Sequence, residues 1–263
     1  MRTYGIEIEA YNVPAYQVAE ALTVNGIPCH YEGYNHVTCN HWKVVSDSSL
    51  TGVYTFELVS PPLSGDDGFA QIEKVCQVLN DLGAKVNKSC GLHVHIDARD
   101  LALNTIKNIC KIYYSEEAGI DAWMAPSRRD SYWCQTLRNI RGGFAEFYQT
   151  LDRDIATLRS LQSLFNTRYR KVNLEAFNRH GTVEFRQHQG TTDSGKIINW
   201  VRFLLLLVAK AITARPRPRK AQTVLTQAEE VTRVLDYVCD GHDDLKAFFR
   251  GRVEALNSRA VTR

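Results

Sequence analysis

The sequence has 263 residues, of which 44% are hydrophobic, so it can bury the core of one large domain or of one domain with an appendage. Its 32 basic residues nearly balance its 29 acidic ones, and the net charge of +3 gives no general argument for a nucleic-acid or membrane partner. The longest apolar run, residues 203–209, is far shorter than the ~20 residues needed to cross a bilayer.

The seven cysteines show no regular spacing and no CxxC pair, which disfavours a disulfide framework and a structural zinc knuckle. The opening MRTYGIEIEA leads directly into an alternating strand pattern, without the apolar stretch of a secretion signal. We therefore expect a protein of the reducing cytoplasm.

Short alternations of apolar and polar residues predict seven strands. They cover residues 3–9, 42–46, 55–60, 84–86, 92–97, 171–174 and 182–188. Helical spacing predicts helices between and after them. These cover residues 13–24, 69–82, 104–115, 144–165 and 195–214, with a helical tail at 226–257.

Strands and helices do not alternate one for one, and segments 42–46 and 55–60 are close enough to be neighbours in a hairpin. The fold class is therefore predicted to be α+β with an antiparallel sheet. The basic, proline-interrupted segment RPRPRK follows residue 214 and is typical of a linker. We predict a main domain at residues 1–214 and an appendage, made of this linker and the helical tail, at residues 215–263.

Four predicted strands combine an apolar face with an ionisable one, because residues two apart on a strand share a face. The strands carry the motifs GIEIE, TFELVS, GLHVHID and TVEFRQH. Their ionisable positions are Glu7, Glu9, Glu57, His93, His95, Asp97, Glu184, Arg186 and His188.

Each such strand alone could be an ordinary amphipathic strand with a solvated polar face. A solvated face normally carries Thr, Lys, Ser and Gln, whereas these faces carry mostly Glu and His with one Arg, which favours one shared site. Glutamates this close repel one another unless a positive charge lies among them. Mg²⁺ is the natural candidate, since it prefers carboxylate oxygens, waters and phosphates as ligands, and the two histidines make a softer position at which Mn²⁺ can substitute.

The motifs GIEIE, WKVVSDSSL, FELVSPPL, KVNKSCGLHVHID and RYRKVNLEAFNRHGTVEFRQHQGTTD occur in this order over residues 2–211. Together they resemble the amidoligase family of phages and bacteria, within the glutamine synthetase and glutamate–cysteine ligase superfamily. The resemblance implies a curved antiparallel sheet with helices packed on one face, and it implies binding of ATP and Mg²⁺ ions at the concave face. The superfamily joins a carboxylate to an amine through an acyl phosphate. A phage gene would place the protein in the host cytoplasm.

The resemblance also implies roles for individual residues. The implied metal ligands are Glu7, Glu9, Glu57, Glu184 and one or both of His93 and His95. Catalytic roles are implied for Glu57, His93 and Arg186, and the arginine would neutralise the transferring phosphoryl group.

Further family matches imply nucleotide or substrate contacts. Asp47, Ser48 and Ser49 match a D-x-S element, and Asn87, Ser89 and Cys90 precede the histidine strand. Arg168, Arg170 and Lys171 form a basic stretch that could grip a carboxylate or phosphate, although a solvated basic helix end explains it equally well. The Cys90 thiol is expected to be buried and inert.

Two alternatives stay open at this point. One is a zinc hydrolase of the amidohydrolase type, since HxH also holds zinc in such barrels, but they alternate strand and helix and would leave TVEFRQH unexplained. The other is a non-catalytic interaction protein that retains a ligase fold. The expected partners of the ligase are small-molecule or peptide carboxylates and amines, with no membrane; nucleic acid is disfavoured, and the oligomeric state is open.

Overall fold

The computed structural model describes residues 2–33, 35–140, 142–219 and 224–261. The chain divides into two compact units. Unit 1 comprises Met1–Asp97 and Glu184–Val201, and unit 2 comprises Ala98–Val183 and Arg202–Arg263. The predicted domain boundary after residue 214 stays a prediction, and Lys220 of the predicted linker lies outside the described residues.

The described strands form one sheet with the order β2-β3-β4-β1-β5-β7-β6. Their bounds are β1 Tyr4–Ala10, β2 Cys29–Gly33, β3 Trp42–Val45, β4 Phe56–Val59, β5 Gly91–Asp97, β6 Val172–Asn173 and β7 Thr182–Gln189. β1 pairs antiparallel with β4 and β5, and β3 pairs antiparallel with β4. β2 runs parallel to β3, so the sheet has one parallel pair at its edge.

The described helices are α1 Ala15–Val24, α2 Gly65–Asp81, α3 Leu103–Ala122, α4 Phe144–Gln149, α5 Leu158–Phe165, α6 Ala176–His180, α7 Ser194–Thr213, α8 Gln227–Val238 and α9 Asp243–Val261. None of them is both long and apolar enough to cross a membrane. The mixture of a sheet and many helices confirms the predicted fold class.

The core of unit 1 lies on the apolar face of its sheet. Ile6 and Ile8 of β1 are at most 1% exposed, and the inward residues of β4 and β5 are buried in the same way. Helix α1 buries Val18 and Leu22 and packs against β2 and β3, while α2 presents a buried face built around Ile72. Burying one face of each strand leaves the other face for the ionisable side chains.

Three predicted elements are wrong. Residues 144–165 do not form one helix, because the backbone is extended at Ile155 and a capping box formed by Thr157 and Ser160 starts a new helix, α5. The tail forms two helices, separated at Gly241, whose φ of 76° lies in the left-handed region. Residues 84–86 form no strand, and Lys85 makes only an isolated bridge with Tyr11.

In unit 2, helices α3 and α8 pack closely along their length. A Cβ atom added at Gly119 of α3 would lie 2.5 Å from the carbonyl oxygen of Glu230 in α8. Glycine is therefore required at this position, since any side chain would push the two helices apart.

Candidate active site

Four neighbouring strands of unit 1, in the order β4-β1-β5-β7, carry the predicted ionisable residues. In the pairing of β1 with β4, Glu9 lies directly opposite Glu57. In the pairing of β1 with β5, Glu7 lies directly opposite His93. The strand order thus brings together residues that are far apart in the sequence. We call the set Glu7, Glu9, Glu57, His93, His95, Glu184 and Arg186 the carboxylate centre.

His93 contacts three carboxylates of the centre. Its Nδ1 lies 2.9 Å from Oε2 of Glu7 and 3.6 Å from Oε1 of Glu184, and its Nε2 lies 3.5 Å from Oε1 of Glu9. The side chain is only 4% exposed. Both ring nitrogens therefore face acidic oxygens, and His93 joins the strands β1, β5 and β7 through one imidazole.

The remaining contacts of the centre fix individual carboxylates. Nε2 of His95 lies 3.2 Å from Oε1 of Glu7, and Nη1 of Arg186 lies 2.5 Å from Oε1 of Glu184. The backbone N–H of Gly91, at the start of β5, donates to Oε2 of Glu9. Such charge-assisted contacts hold the carboxylates in defined positions inside the sheet face.

The pKa values of two neighbouring carboxylates, Glu57 and Glu7, are shifted in opposite directions. Burial, together with the charges of Glu7, Glu9 and Asp47, raises the pKa of Glu57 well above its usual range. Burial also acts on Glu7, but the charge of His95 and hydrogen bonds from both histidines hold the pKa of Glu7 well below its usual range. Unequal carboxyl groups side by side are typical of functional sites.

The basic groups respond to the same carboxylates. Although burial opposes its charged form, the charge of Glu7 and the hydrogen bond that His95 donates to it raise the pKa of His95. In spite of burial, Glu184 and Glu7 raise the pKa of Arg186. Burial likewise opposes the charged form of Glu184, yet Arg186 and His95 lower its pKa. The centre is therefore a network in which each charge depends on its neighbours.

Two groups of donor atoms in the centre fit a metal ion. The first consists of Glu7, His93 and Glu184, the second of Glu9, Glu57 and His93, and within each group the donor atoms lie within 4.8 Å of one another. Oxygen donors in excess over nitrogen suit Mg²⁺ or Mn²⁺. His93 belongs to both groups and His95 to neither, so His93 is the better placed of the two predicted histidine ligands.

Asp47 and Ser49 lie in the loop after β3. Oδ1 of Asp47 accepts a hydrogen bond of 2.7 Å from the backbone N–H of Ser49, which forms a tight turn. Asp47 contributes to the raised pKa of Glu57, which places its charge near the centre. Ser48 and Ser49 are exposed, so their hydroxyl groups face solvent.

The residues before β5 brace this loop. Nδ2 of Asn87 donates to the carbonyl of Thr51 at 2.6 Å, and the N–H of Thr51 donates to Oγ of Ser89 at 3.0 Å. The thiol of Cys90 is buried, and a Cβ atom added at Gly190 would lie 2.5 Å from its Cβ. Sequence reasoning missed Thr51, because nothing in a loop of small polar residues shows which of them meet.

The basic stretch Arg168, Arg170 and Lys171 belongs to unit 2. Nζ of Lys171 is fully buried and lies 2.8 Å from Oε1 of Glu117 and 2.6 Å from Oδ1 of Asp121. Arg170 donates to the carbonyls of residues 165 and 136. The exposed Arg168 lies over the ring of Tyr169, 5.0 Å from its centroid. Nη2 of Arg168 also donates to the hydroxyl of Tyr169 at 3.1 Å. All three side chains thus have partners within unit 2, and their contact with a ligand stays a prediction.

Asp97 and His188, also predicted on the ionisable faces, have other contacts. Oδ2 of Asp97 accepts a hydrogen bond of 3.4 Å from the hydroxyl of Thr3. Nδ1 of His188 lies 2.7 Å from the carbonyl oxygen of Gln189, and its ring packs beside Trp200. Both residues lie at or next to the ends of their strands, and these contacts are with residues outside the carboxylate centre.

Comparison with known proteins gives three results. Residues 1–208 match the sequence model of a protein family described as "Putative amidoligase enzyme". A similar solved structure, the crystal structure of a novel glutamine synthase homolog, shares 11% identity with a TM-score of 0.48, and the alignment covers 97% of this chain and 67% of that chain. No curated protein matches the sequence.

Proposed function

The chain belongs to the family described as putative amidoligase enzymes, and from this premise we propose that it joins a carboxylate to an amine in a reaction driven by ATP. The observation that carries the proposal is the carboxylate centre. Four glutamates and one arginine converge with two histidines on one sheet face. This combination suits phosphoryl transfer, because that reaction depends on positioning and on charge around the phosphate.

The residues present fit Mg²⁺, with Mn²⁺ as a substitute. Glu7, Glu9, Glu57 and Glu184 would hold the ions together with His93, since their donor atoms form the two groups described above. Bound Mg²⁺ would neutralise the phosphates of ATP and align them. Without a cation, burial of these glutamates beside one another is unfavourable, as the raised pKa of Glu57 indicates.

The proposed reaction has two steps. A carboxylate oxygen of the substrate attacks the γ-phosphorus of ATP, and ADP leaves with the bridging oxygen, which yields an acyl phosphate. The amine nitrogen then attacks the acyl carbon, phosphate leaves, and the nitrogen loses a proton to water. Arg186 is suited to stabilise the charge on the transferring group, because its guanidinium is buried within the centre and stays protonated.

Other residues would contact the nucleotide or the substrate. The loop that carries Asp47 and Ser49 is braced by the segment before β5, so it can present fixed polar groups. Arg168 and Lys171 are further proposed contacts, of which Arg168 is the exposed one. The carboxylate would be an amino acid, a peptide or a related small molecule, and the amine a second compound of this class.

The test is Mg²⁺-dependent ADP release by the purified chain with pooled carboxylates and amines. We expect ADP release that requires both pools and disappears in Glu7→Gln. Glu7 contacts both histidines and belongs to one of the two groups of donor atoms that fit a metal ion. The matched control is Glu20→Gln, which changes an exposed glutamate of α1 and should leave the rate unchanged.

Two outcomes would contradict the proposal. Nucleotide binding that needs Mg²⁺ but never yields ADP would indicate a non-catalytic protein with a ligase fold. Absence of ADP together with zinc that is lost in Glu7→Gln would favour a hydrolase. The open sheet disfavours the barrel of that alternative, because its described strands end at β2 and β6 and do not close.

A further inference from the structure

A second set of metal-ligand side chains lies at the edge of the sheet in unit 1. His30 and Glu32 are two residues apart on the edge strand β2, and His41 immediately precedes β3. Cys39 lies in the connection between the two strands. We call His30, Glu32, Cys39 and His41 the edge cluster, and it shares no residue with the carboxylate centre.

The donor atoms of the edge cluster are close together. Nε2 of His41 lies 2.6 Å from Oε1 of Glu32, and the rings of His30 and His41 stack with centroids 4.1 Å apart. The donor atoms of these three residues lie within 4.8 Å of one another. Sγ of Cys39 lies 4.0 Å from both carboxylate oxygens of Glu32. The two imidazoles and the carboxylate therefore form one group, and the thiol of Cys39 lies next to its carboxylate.

Neighbouring polar groups orient these donors. Nδ1 of His41 lies 3.3 Å from Oδ1 of Asn40, so Nε2 is the nitrogen directed to the cluster. Nδ2 of Asn35 donates to Oε2 of Glu32, which leaves Oε1 for the cluster. Hydrogen bonds of this kind hold ligand side chains in metal sites, because they fix the ring orientation and the free oxygen.

The connection that carries Cys39 and His41 is short for one that joins two parallel neighbouring strands. Parallel neighbours such as β2 and β3 normally need a crossover of about a dozen residues, often a helix. Here eight residues lie between the end of β2 and the start of β3, and the described ones, 35–41, contain no helix. The buried Nζ of Lys43 holds the carbonyls of Asn35 and Val37 at 2.9 and 2.5 Å. A cross-link from β2 to the end of this connection would hold the return in place.

We propose that His30, Glu32, Cys39 and His41 bind one zinc ion, which fastens the connecting segment to the edge strand. Zinc takes four nitrogen, sulfur and oxygen ligands in a tetrahedron at about 2.0–2.3 Å, so its ligand atoms are about 3.3–3.7 Å apart. The thiol and carboxylate are already near that spacing. The contact between Glu32 and His41 has to open slightly to admit the ion.

The donor types select the metal. Thiolate and imidazole ligands suit Zn²⁺ and disfavour Mg²⁺, which requires oxygen donors. The carboxylate centre, with its excess of oxygen donors, has the opposite preference. The alternative for the edge cluster is an ordinary surface hydrogen bond between His41 and Glu32, but that contact explains neither the second imidazole nor the thiol.

Cys39 provides a direct test in the unchanged protein. It is the half-buried cysteine of the chain, and the other six are buried. Iodoacetamide under native conditions should therefore modify Cys39 first, as peptide mass spectrometry would show. Equimolar Zn²⁺ should slow this reaction by about tenfold or more, because a metal-bound thiolate is not available for alkylation. Mg²⁺ should leave the rate unchanged.

Variants of the histidines distinguish zinc bound by the whole edge cluster from zinc bound by Cys39 alone. His30→Asn and His41→Asn should each weaken protection by about 10–100-fold in zinc concentration. Glu7→Gln should keep full protection, since the carboxylate centre is not involved, and this also separates the inference from the proposed ligase function. Cobalt offers a second readout, because a thiolate-to-cobalt absorption band should appear and should vanish in Cys39→Ser.

Either of two results would overturn the proposal. One is an alkylation rate of Cys39 that does not respond to Zn²⁺. The other is protection that remains unchanged in both histidine variants, provided that their melting temperatures match that of the parent protein.

Discussion

The carboxylate centre of unit 1 and the buried ion pairs of unit 2 use the same residue types in different proportions. In unit 2, Lys171 lies between Glu117 and Asp121. A second group there pairs Glu116 and Glu230 with Arg219 and Arg233. Glu117 also accepts a hydrogen bond from the N–H of residue 137. Each of these described carboxylates thus faces a cationic side chain.

The centre in unit 1 has a different balance. Its four carboxylates face one permanently charged side chain, Arg186, whereas the four carboxylates named in unit 2 face one lysine and two arginines. A buried group whose carboxylates nearly all have a permanently charged partner supports a structure, whereas a buried group with a larger surplus of carboxylates is suited to receive a cation. The proportion of opposite charges therefore distinguishes the two regions better than burial does, because both are buried.

The largest expected effect tests the matched side of this comparison. Lys171→Met should lower the free energy of unfolding by about 3–5 kcal/mol, because it leaves Glu117 and Asp121 without their cation. Chemical denaturation would measure it. Lys196→Met, which removes a partly exposed partner of Asp193, is the control and should change stability by less than about 1 kcal/mol.

The same variant also tests the predicted ligand contact of Lys171. A loss of ATP affinity without a loss of stability would show that the lysine serves a ligand, and the two regions would then not differ as described.

The surplus side is tested by Glu184→Gln. The change should lower turnover by about 10²–10³-fold, since Glu184 shares a metal group with Glu7 and His93 and pairs with Arg186. It should also lower the melting temperature, because Arg186 and His95 stabilise the charged form of Glu184 in the folded state and the variant leaves the buried Arg186 without this partner. Steady-state ADP release and thermal unfolding measure the two effects. Glu175→Gln, at an exposed position, is the matched control; equal losses of turnover in both variants would refute the assignment.

A smaller effect concerns helix packing in unit 2. Gly119→Ala should destabilise the protein by about 1–3 kcal/mol, because the new methyl group would meet the backbone of Glu230. Gly251→Ala in α9 is the control, since nothing lies near its added Cβ, and it should stabilise by about 0.5–1 kcal/mol. If both changes stabilised the protein, the close approach of α3 and α8 would be wrong.

The smallest expected effect is a change in how the folding stability depends on pH when Glu57 of the centre is replaced. Because the pKa of Glu57 in the folded state lies above its ordinary value of 4.5, the folded state holds this proton more tightly than the unfolded state. Its stabilising contribution is complete below that value and is lost as the pH rises through the folded pKa. Glu57→Gln, neutral throughout, should match the parent at pH 4 and exceed it by about 1 kcal/mol at pH 8 without metal.

Adding Mg²⁺ with ATP should reverse this order, since only the parent retains the Glu57 ligand. Melting curves at several pH values, with and without Mg²⁺, would measure both parts. If Mg²⁺ with ATP raised the melting temperature of the parent no more than that of Glu57→Gln, Glu57 would not be one of the metal ligands.

Much of the centre could be predicted from sequence, because alternation along a strand determines which residues share a face. GIEIE alone places Glu7 and Glu9 together. The sequence does not contain the strand order, so it could not show that Glu9 lies opposite Glu57. The contact of Glu9 with the backbone N–H of Gly91 was invisible for the same reason.

Other features depended on local or tertiary interactions. β2 was missed because CHYEG is short and carries only one buried apolar residue, Cys29. The break before α5 depends on the capping pair Thr157 and Ser160, which a helical pattern across residues 144–165 conceals. The burial of Lys171 depends on acidic residues about 50 positions away, which no local pattern reveals.

The position of β7 in the chain has a consequence for the order in which the protein acquires its site. Glu184 joins Glu7 and His93 only after the ribosome has made the whole intervening segment, residues 98–183. Contacts between distant residues form slowly, since a long loop must close first. A nascent chain that ends before residue 184 therefore lacks both Glu184 and Arg186, and the full ligand set arises late in synthesis.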